Sequence, residues 1–236
     1  MPSVLDQLPK VFPFYLVCDV SASLHHPETW KRAPEVPLDA MAQAFEDVFF
    51  LLRDDEAVGD LGLLSLIVFG DTAEVLVPLT FIGSMRRLPT LPRQVYTNYK
   101  KVFELLDATV RSDVARLAKD YRVSPPVVYF ISDGEPLLDG KRQPLTDWLP
   151  ARQQLDDPLW EDRPYIVSLG VGKAAAGTVA LVASRNPRGV ACIADGSVPL
   201  VDLIRRIISQ ICASVTASIR ERELVFDAPA GMRRLS

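Results

Sequence analysis

Two short stretches of this 236-residue chain gather side chains able to do chemistry. In FYLVCDVSAS, residues 14–23, an apolar run ends in Asp19, Ser21 and Ser23, one acid and two hydroxyls at every second position. In VVYFISDGEP, residues 127–136, a second apolar run ends in Ser132, Asp133, Gly134 and Glu135. Both runs read as buried strands of a parallel sheet. In such sheets ligands bind beyond the carboxyl ends of the strands. If the two strands lie close together, Asp19 and Asp133 face each other across one crevice. Two carboxylates that near repel, and a bound cation is the usual remedy.

The donors on offer are carboxylates and hydroxyls, all hard oxygens. No His or Cys cluster has zinc spacing, and strand alternation turns Cys18 away from Asp19 into the core. Hard ligands select Mg²⁺, with Mn²⁺ or Ca²⁺ as alternatives, and leave some positions to water. A site built mainly of neutral hydroxyls leaves the metal electrophilic, so an anion must complete its shell. A protein partner's Asp or Glu carboxylate is the simplest candidate. Each residue also has a plainer reading: Ser21 and Ser23 as turn or N-cap residues, Asp133-Gly134 as turn chemistry. The pairing of two polar strand ends is what favours a site.

The elements that must position these residues alternate along the chain. Strands are expected at 14–20, 63–70, 73–79, 127–132, 165–171 and 189–195. The pair at 63–79 is separated only by Asp71 and Thr72, so it reads as a hairpin with one antiparallel member. Helices are expected at 38–54, 97–122, 145–155, 177–183 and about 198–220, with Thr97 or Asn98 as the N-cap of the second. This order predicts an α/β, doubly wound fold: a mostly parallel six-stranded sheet with one antiparallel edge strand and helices on both faces. One domain spans 12–220, preceded by an N-terminal extension (1–11) and followed by a loosely ordered tail (221–236).

Composition narrows the function classes. A net charge of −4 with scattered basic pairs gives no reason to expect nucleic acid or an anionic membrane as partner. Cys18, Cys192 and Cys212 have no CxxC spacing and read as buried free thiols of a reducing compartment. The segment MPSVLDQLPKVFPF lacks the pattern of a secretory signal. The last apolar helix is interrupted by Asp202, Arg205 and Arg206, against a membrane span. A soluble, cytoplasmic protein is expected.

The sequence resembles a known family. D-x-S-x-S after the first strand, a Thr before a later helix and an Asp ending a later strand are similar to the metal-ion-dependent adhesion site of von Willebrand factor type A (vWA) domains. The order of elements matches over about residues 12–215. The resemblance implies that Asp19, Ser21 and Ser23 form the first metal loop, Thr97 the second and Asp133 the third. Val95 and Tyr96 stand where the family often has two glycines before that Thr. DVSAS, the LIVFGDTAEVLVPLT hairpin and SDGEP most resemble the bacterial tellurium-resistance TerY-like group. This implies a metal-dependent scaffold in a stress-response setting rather than an enzyme.

Other readings stay open at this stage. Thr97 fits an N-cap as well as a ligand. The polar insert 24–37 carries His25, His26, Trp30, Lys31 and Arg32 and is placed to shape the metal face. GVGK, residues 170–173, lacks full phosphate-loop spacing and reads as a strand-to-helix turn. The rivals are a metal-dependent phosphohydrolase, for which Lys31, Arg32 and Lys141 are the nearby cations, and a vWA module whose metal site has decayed.

Overall fold

A computed structural model describes residues 8–31, 34–185 and 189–235. Residues 1–7 of the expected N-terminal extension and Arg32 of the insert lie outside the described residues. In chain order the elements are β1 (Lys10–Asp19), α1 (Pro27–Trp30), α2 (Pro37–Asp54), α3 (Glu56–Leu61), β2 (Gly62–Phe69), β3 (Ala73–Phe81) and α4 (Tyr99–Leu117). There follow β4 (Arg122–Val123), β5 (Val127–Ser132), β6 (Leu137–Leu138), β7 (Lys141–Arg142), α5 (Leu145–Gln154), β8 (Tyr165–Gly170), α6 (Ala176–Val182), β9 (Val190–Ala194), α7 (Leu200–Glu221) and β10 (Met232–Arg234).

The main sheet has eight strands rather than the expected six, in the order β10-β9-β8-β5-β1-β2-β3, with β4 also paired to β1. The central pairs are parallel, and β3 runs antiparallel to β2 as the 63–79 hairpin predicts. The added strands β4 and β10 are two and three residues long, too short to carry an alternation signal. Because β10 pairs antiparallel to β9, the second edge of the sheet is antiparallel as well.

Alternation along β1 builds two cores. Phe12, Phe14, Leu16 and Cys18 point to the face covered by α2 and α7, where Phe45, Phe49, Ile207, Ile208 and Ile211 meet them. Val11, Tyr15 and Val17 point to the face covered by α4 and α5, with Phe103, Leu106 and Trp148. Both faces of the central strands are buried, which explains their continuous apolar runs.

Past α7 the chain packs back on the sheet. Arg222 ends α7 in a left-handed conformation (φ 62°) and turns the chain back along the sheet. Val225 N donates to Ser218 Oγ at 3.0 Å, and the Phe226 ring lies 6.1 Å from that of Tyr129. Phe226, and Met232 at the start of β10, complete the α2/α7 core. Two buried apolar side chains hold down a segment whose composition alone reads as coil.

Candidate metal centre

The register of the central strands sets the site. Cys18 stands opposite Ile131, so β1 and β5 end side by side. On its other flank β1 pairs with β2, and the connections run outwards in opposite directions from this point. It is the topological switch of the sheet, where a crevice opens beyond the strand ends. Asp19 is fully buried there and Asp133 is 5% exposed.

Hydrogen bonds link the first and third loops into one chain of oxygens. Ser21 N donates to Asp19 Oδ1 at 2.9 Å, and Ser132 Oγ donates to Asp19 Oδ2 at 2.7 Å. Ser21 Oγ and Ser23 Oγ lie 3.0 Å apart, and Ser23 Oγ donates to Asp133 Oδ1 at 2.8 Å. Ser21 is the N-cap of a single 3-10 turn but makes no side-chain cap bond, so its hydroxyl is not committed to the turn.

Burial first, and the neighbouring Asp133 charge second, push the Asp19 carboxyl up to about 7, against hydrogen bonds from Ser21 and Ser132. Burial also raises Asp133, opposed by the Ser23 hydroxyl and by the charge of Lys173. Two buried carboxylates that resist ionising together are a setting that a cation relieves.

Thr97 lies in the same crevice, held through its backbone. Thr97 and Leu137 exchange N–H···O bonds of 3.0 and 2.9 Å, joining the second loop to the third. Gln94 N donates to Val20 O, Ala22 N to Val95 O and Asn98 N to Gly70 O, which ties the second loop to the first loop and to the end of β2. Asn98, not Thr97, caps α4: its Oδ1 accepts from Lys101 N at 3.2 Å. The Thr97 hydroxyl is therefore not committed to the helix, and it makes no hydrogen bond to the other four candidate residues. Val95 and Tyr96 occupy the usual glycine positions without positive φ, and Val95 is 59% exposed, directed out of the crevice.

Several contributors are not evident from the sequence. Ser132 bonds Asp19 only because of the β1–β5 register, which no spacing encodes. Gly172 sits at φ +56°, and a Cβ there would lie 3.3 Å from Asp133 Cβ. Lys173 N donates to Asp133 O at 3.1 Å, so the GVGK turn forms a wall of the site. The insert buttresses the first loop: Trp30 Nε1 donates to Ser23 O at 2.8 Å, and His25 Nε2 bonds Gln94 O at 2.9 Å.

Among the described residues no group of three or more His, Cys, Asp or Glu stands together. The donor set is two carboxylates and neighbouring hydroxyls, and it fits a hard divalent cation rather than zinc of the structural type. No helix among the described residues is long and apolar enough to cross a membrane.

No protein-family model and no curated protein matches the chain. Solved structures do. The pilus adhesin SpaC of Lactobacillus rhamnosus GG, in its open conformation, matches with a TM-score of 0.64 at 12% identity, over 91% of this chain and 31% of that one. A von Willebrand factor type A protein from Catenulispora acidiphila matches at TM-score 0.57 and 12% identity, over 87% and 43%. Proximal thread matrix protein 1 of the mussel byssus matches at 0.50 and 16%, over 91% and 47%. The chain spans less than half the length of each of these three proteins. With the 3-2-1 order on one side of the switch point and the later strands on the other, the fold is that of a von Willebrand factor type A domain.

Proposed function

We propose that the chain is a metal-dependent protein-binding domain that captures a carboxylate of its partner. The observation that carries this reading is the continuous line from Asp19 through Ser21 and Ser23 to Asp133, closed by hydrogen bonds across a buried crevice. Ser21, Ser23 and Thr97 would hold the ion, and Asp19 and Asp133 would neutralise it directly or through water. Hard oxygen donors favour Mg²⁺, with Mn²⁺ or Ca²⁺ as substitutes. When bound, the ion supplies an electrophilic centre for an Asp or Glu side chain.

The protein's own residues would do the rest. The Trp30 and His25 contacts fix the first loop before any partner arrives, so less order is lost on binding. Val95, Leu137 and Leu138 are exposed apolar side chains on the second and third loops. They offer a partner dry contact around the polar centre. The likeness of DVSAS, the hairpin and SDGEP to the TerY-like group supports a cytoplasmic scaffold in a bacterial stress or tellurium-resistance system, by fold-level analogy.

The test is a display library of acidic peptides screened with Mg²⁺ and again with EDTA. The reading expects hits that need the metal and lose binding when one Asp or Glu becomes Asn or Gln. Hits indifferent to EDTA would contradict it.

A further inference from the structure

At the other end of the parallel strands the fold leaves a cavity of about 600 Å³ between α5, the end of α6, the start of β9 and β10. Its place follows from two contacts: Ile166 N, at the start of β8, donates to Ser184 Oγ, and Gly189 precedes β9. Both line the amino-terminal side of the sheet, away from Asp19 and Asp133.

Three arginines border this space, Arg152, Arg185 and Arg234, with Asp156 the one carboxylate among the described residues of the lining. Arg152 is 1% exposed. Its Nε donates to Val182 O, and its Nη2 to Ala183 O at 2.7 Å and Asp156 Oδ2 at 3.0 Å. Its Nη1 is buried with no partner among the described residues, so two guanidinium N–H groups are unmatched. Such a group is costly in a folded chain, and each one calls for an explanation.

Arg185 and Arg234 are exposed and have no carboxylate partner among the ion pairs of the described residues. Burial pulls the Arg152 pKa down, Asp156 holds it up, and the like charge of Arg185 lowers it again. Among the described residues the wall thus carries two positive charges in excess. Leu181 and Leu235 add apolar surface. The volume falls within the usual range for small-molecule sites, about 300–1,000 Å³.

We propose that this cavity binds an organic phosphate of about nucleotide size. A phosphate carries close to two negative charges at neutral pH and matches guanidinium forks with paired hydrogen bonds. The apolar side chains give the organic part a surface to lie on.

The test titrates the full chain with ADP, and separately with inorganic phosphate, by calorimetry in EDTA so that the metal centre stays silent. One saturable ADP site is expected, weakened by salt and tighter than inorganic phosphate. Arg152→Met could unfold the chain, so the deciding variant is Arg185→Gln with Arg234→Gln, both exposed. It should keep its melting temperature and lose affinity by about tenfold for each arginine. Absence of saturable ADP binding, unchanged affinity in the double variant, or phosphate binding as tightly as ADP would each overturn the proposal.

Discussion

The Ser23 hydroxyl donates to Asp133 Oδ1 at 2.8 Å although 110 positions separate the two residues. With the Ser132–Asp19 bond it closes the first loop on the third. Ser23 is otherwise exposed, so its hydroxyl contributes little to the core. Ser23→Ala leaves the buried Asp133 carboxylate short of a donor, so it should lower unfolding free energy by about 1 kcal/mol. Its Mg²⁺ affinity should fall by about tenfold or more. Urea titration and calorimetry on the same variant separate the two effects.

Asp19 gives the centre a pH dependence whose sign can be worked out. Its carboxyl is raised to about 7 in the fold, against about 4 in an unfolded chain. Between those values the metal-free fold holds a proton that the unfolded chain releases. The associated stability is present below about pH 4 and is lost as pH rises towards 7. The metal needs the ionised carboxylate, so protons compete with it. Metal-free protein should thus lose stability from about pH 5 to 7, while the Mg²⁺-induced rise in Tm should be larger at about pH 8 than at about pH 6. Thermal melts with and without Mg²⁺ across this range check both slopes, and Asp19→Asn should flatten them.

Gly172 combines a left-handed backbone with close approach to Asp133. Gly172→Ala should cost about 1–2 kcal/mol from the φ +56° conformation alone. It should also weaken metal binding by displacing Asp133. Denaturant unfolding gives the first number, and a Mg²⁺ titration gives the second.

The two halves of the site differ in how readable they were. DVSAS and SDGEP stood out because strand alternation exposes a polar residue at the end of an apolar run. The β2–β3 hairpin follows from the same periodicity, whereas the order of the strands does not. Ser132 belongs to a readable polar strand end, but its bond to Asp19 and the role of Gly172 depend on which strands are neighbours and in what register. Thr97 and Asn98 were interchangeable as caps until the Asn98–Lys101 bond assigned the cap to Asn98. The insert read only as polar, yet Trp30 reaches back to Ser23 O. The tail reads as coil because β10 is too short for a pattern and its two anchors, Phe226 and Met232, have no periodic neighbours.

That anchor makes its own prediction. Phe226 is 9% exposed against Tyr129 and the α2/α7 core. Phe226→Ala should destabilise the domain by about 3 kcal/mol, measured by urea unfolding. A loosely attached tail would leave the midpoint nearly unchanged.

The central claim is that Asp19, Ser21, Ser23, Thr97 and Asp133 together hold a divalent ion. The most direct measurement is a Mg²⁺ titration of the metal-free protein by calorimetry, beside Asp133→Ala. A single site is expected in the wild-type chain, repeated with Mn²⁺, and its loss in the variant with the fold retained. No binding of any divalent ion to the wild-type protein, or equal binding by Asp133→Ala, would contradict it and leave a vWA fold without a working metal centre.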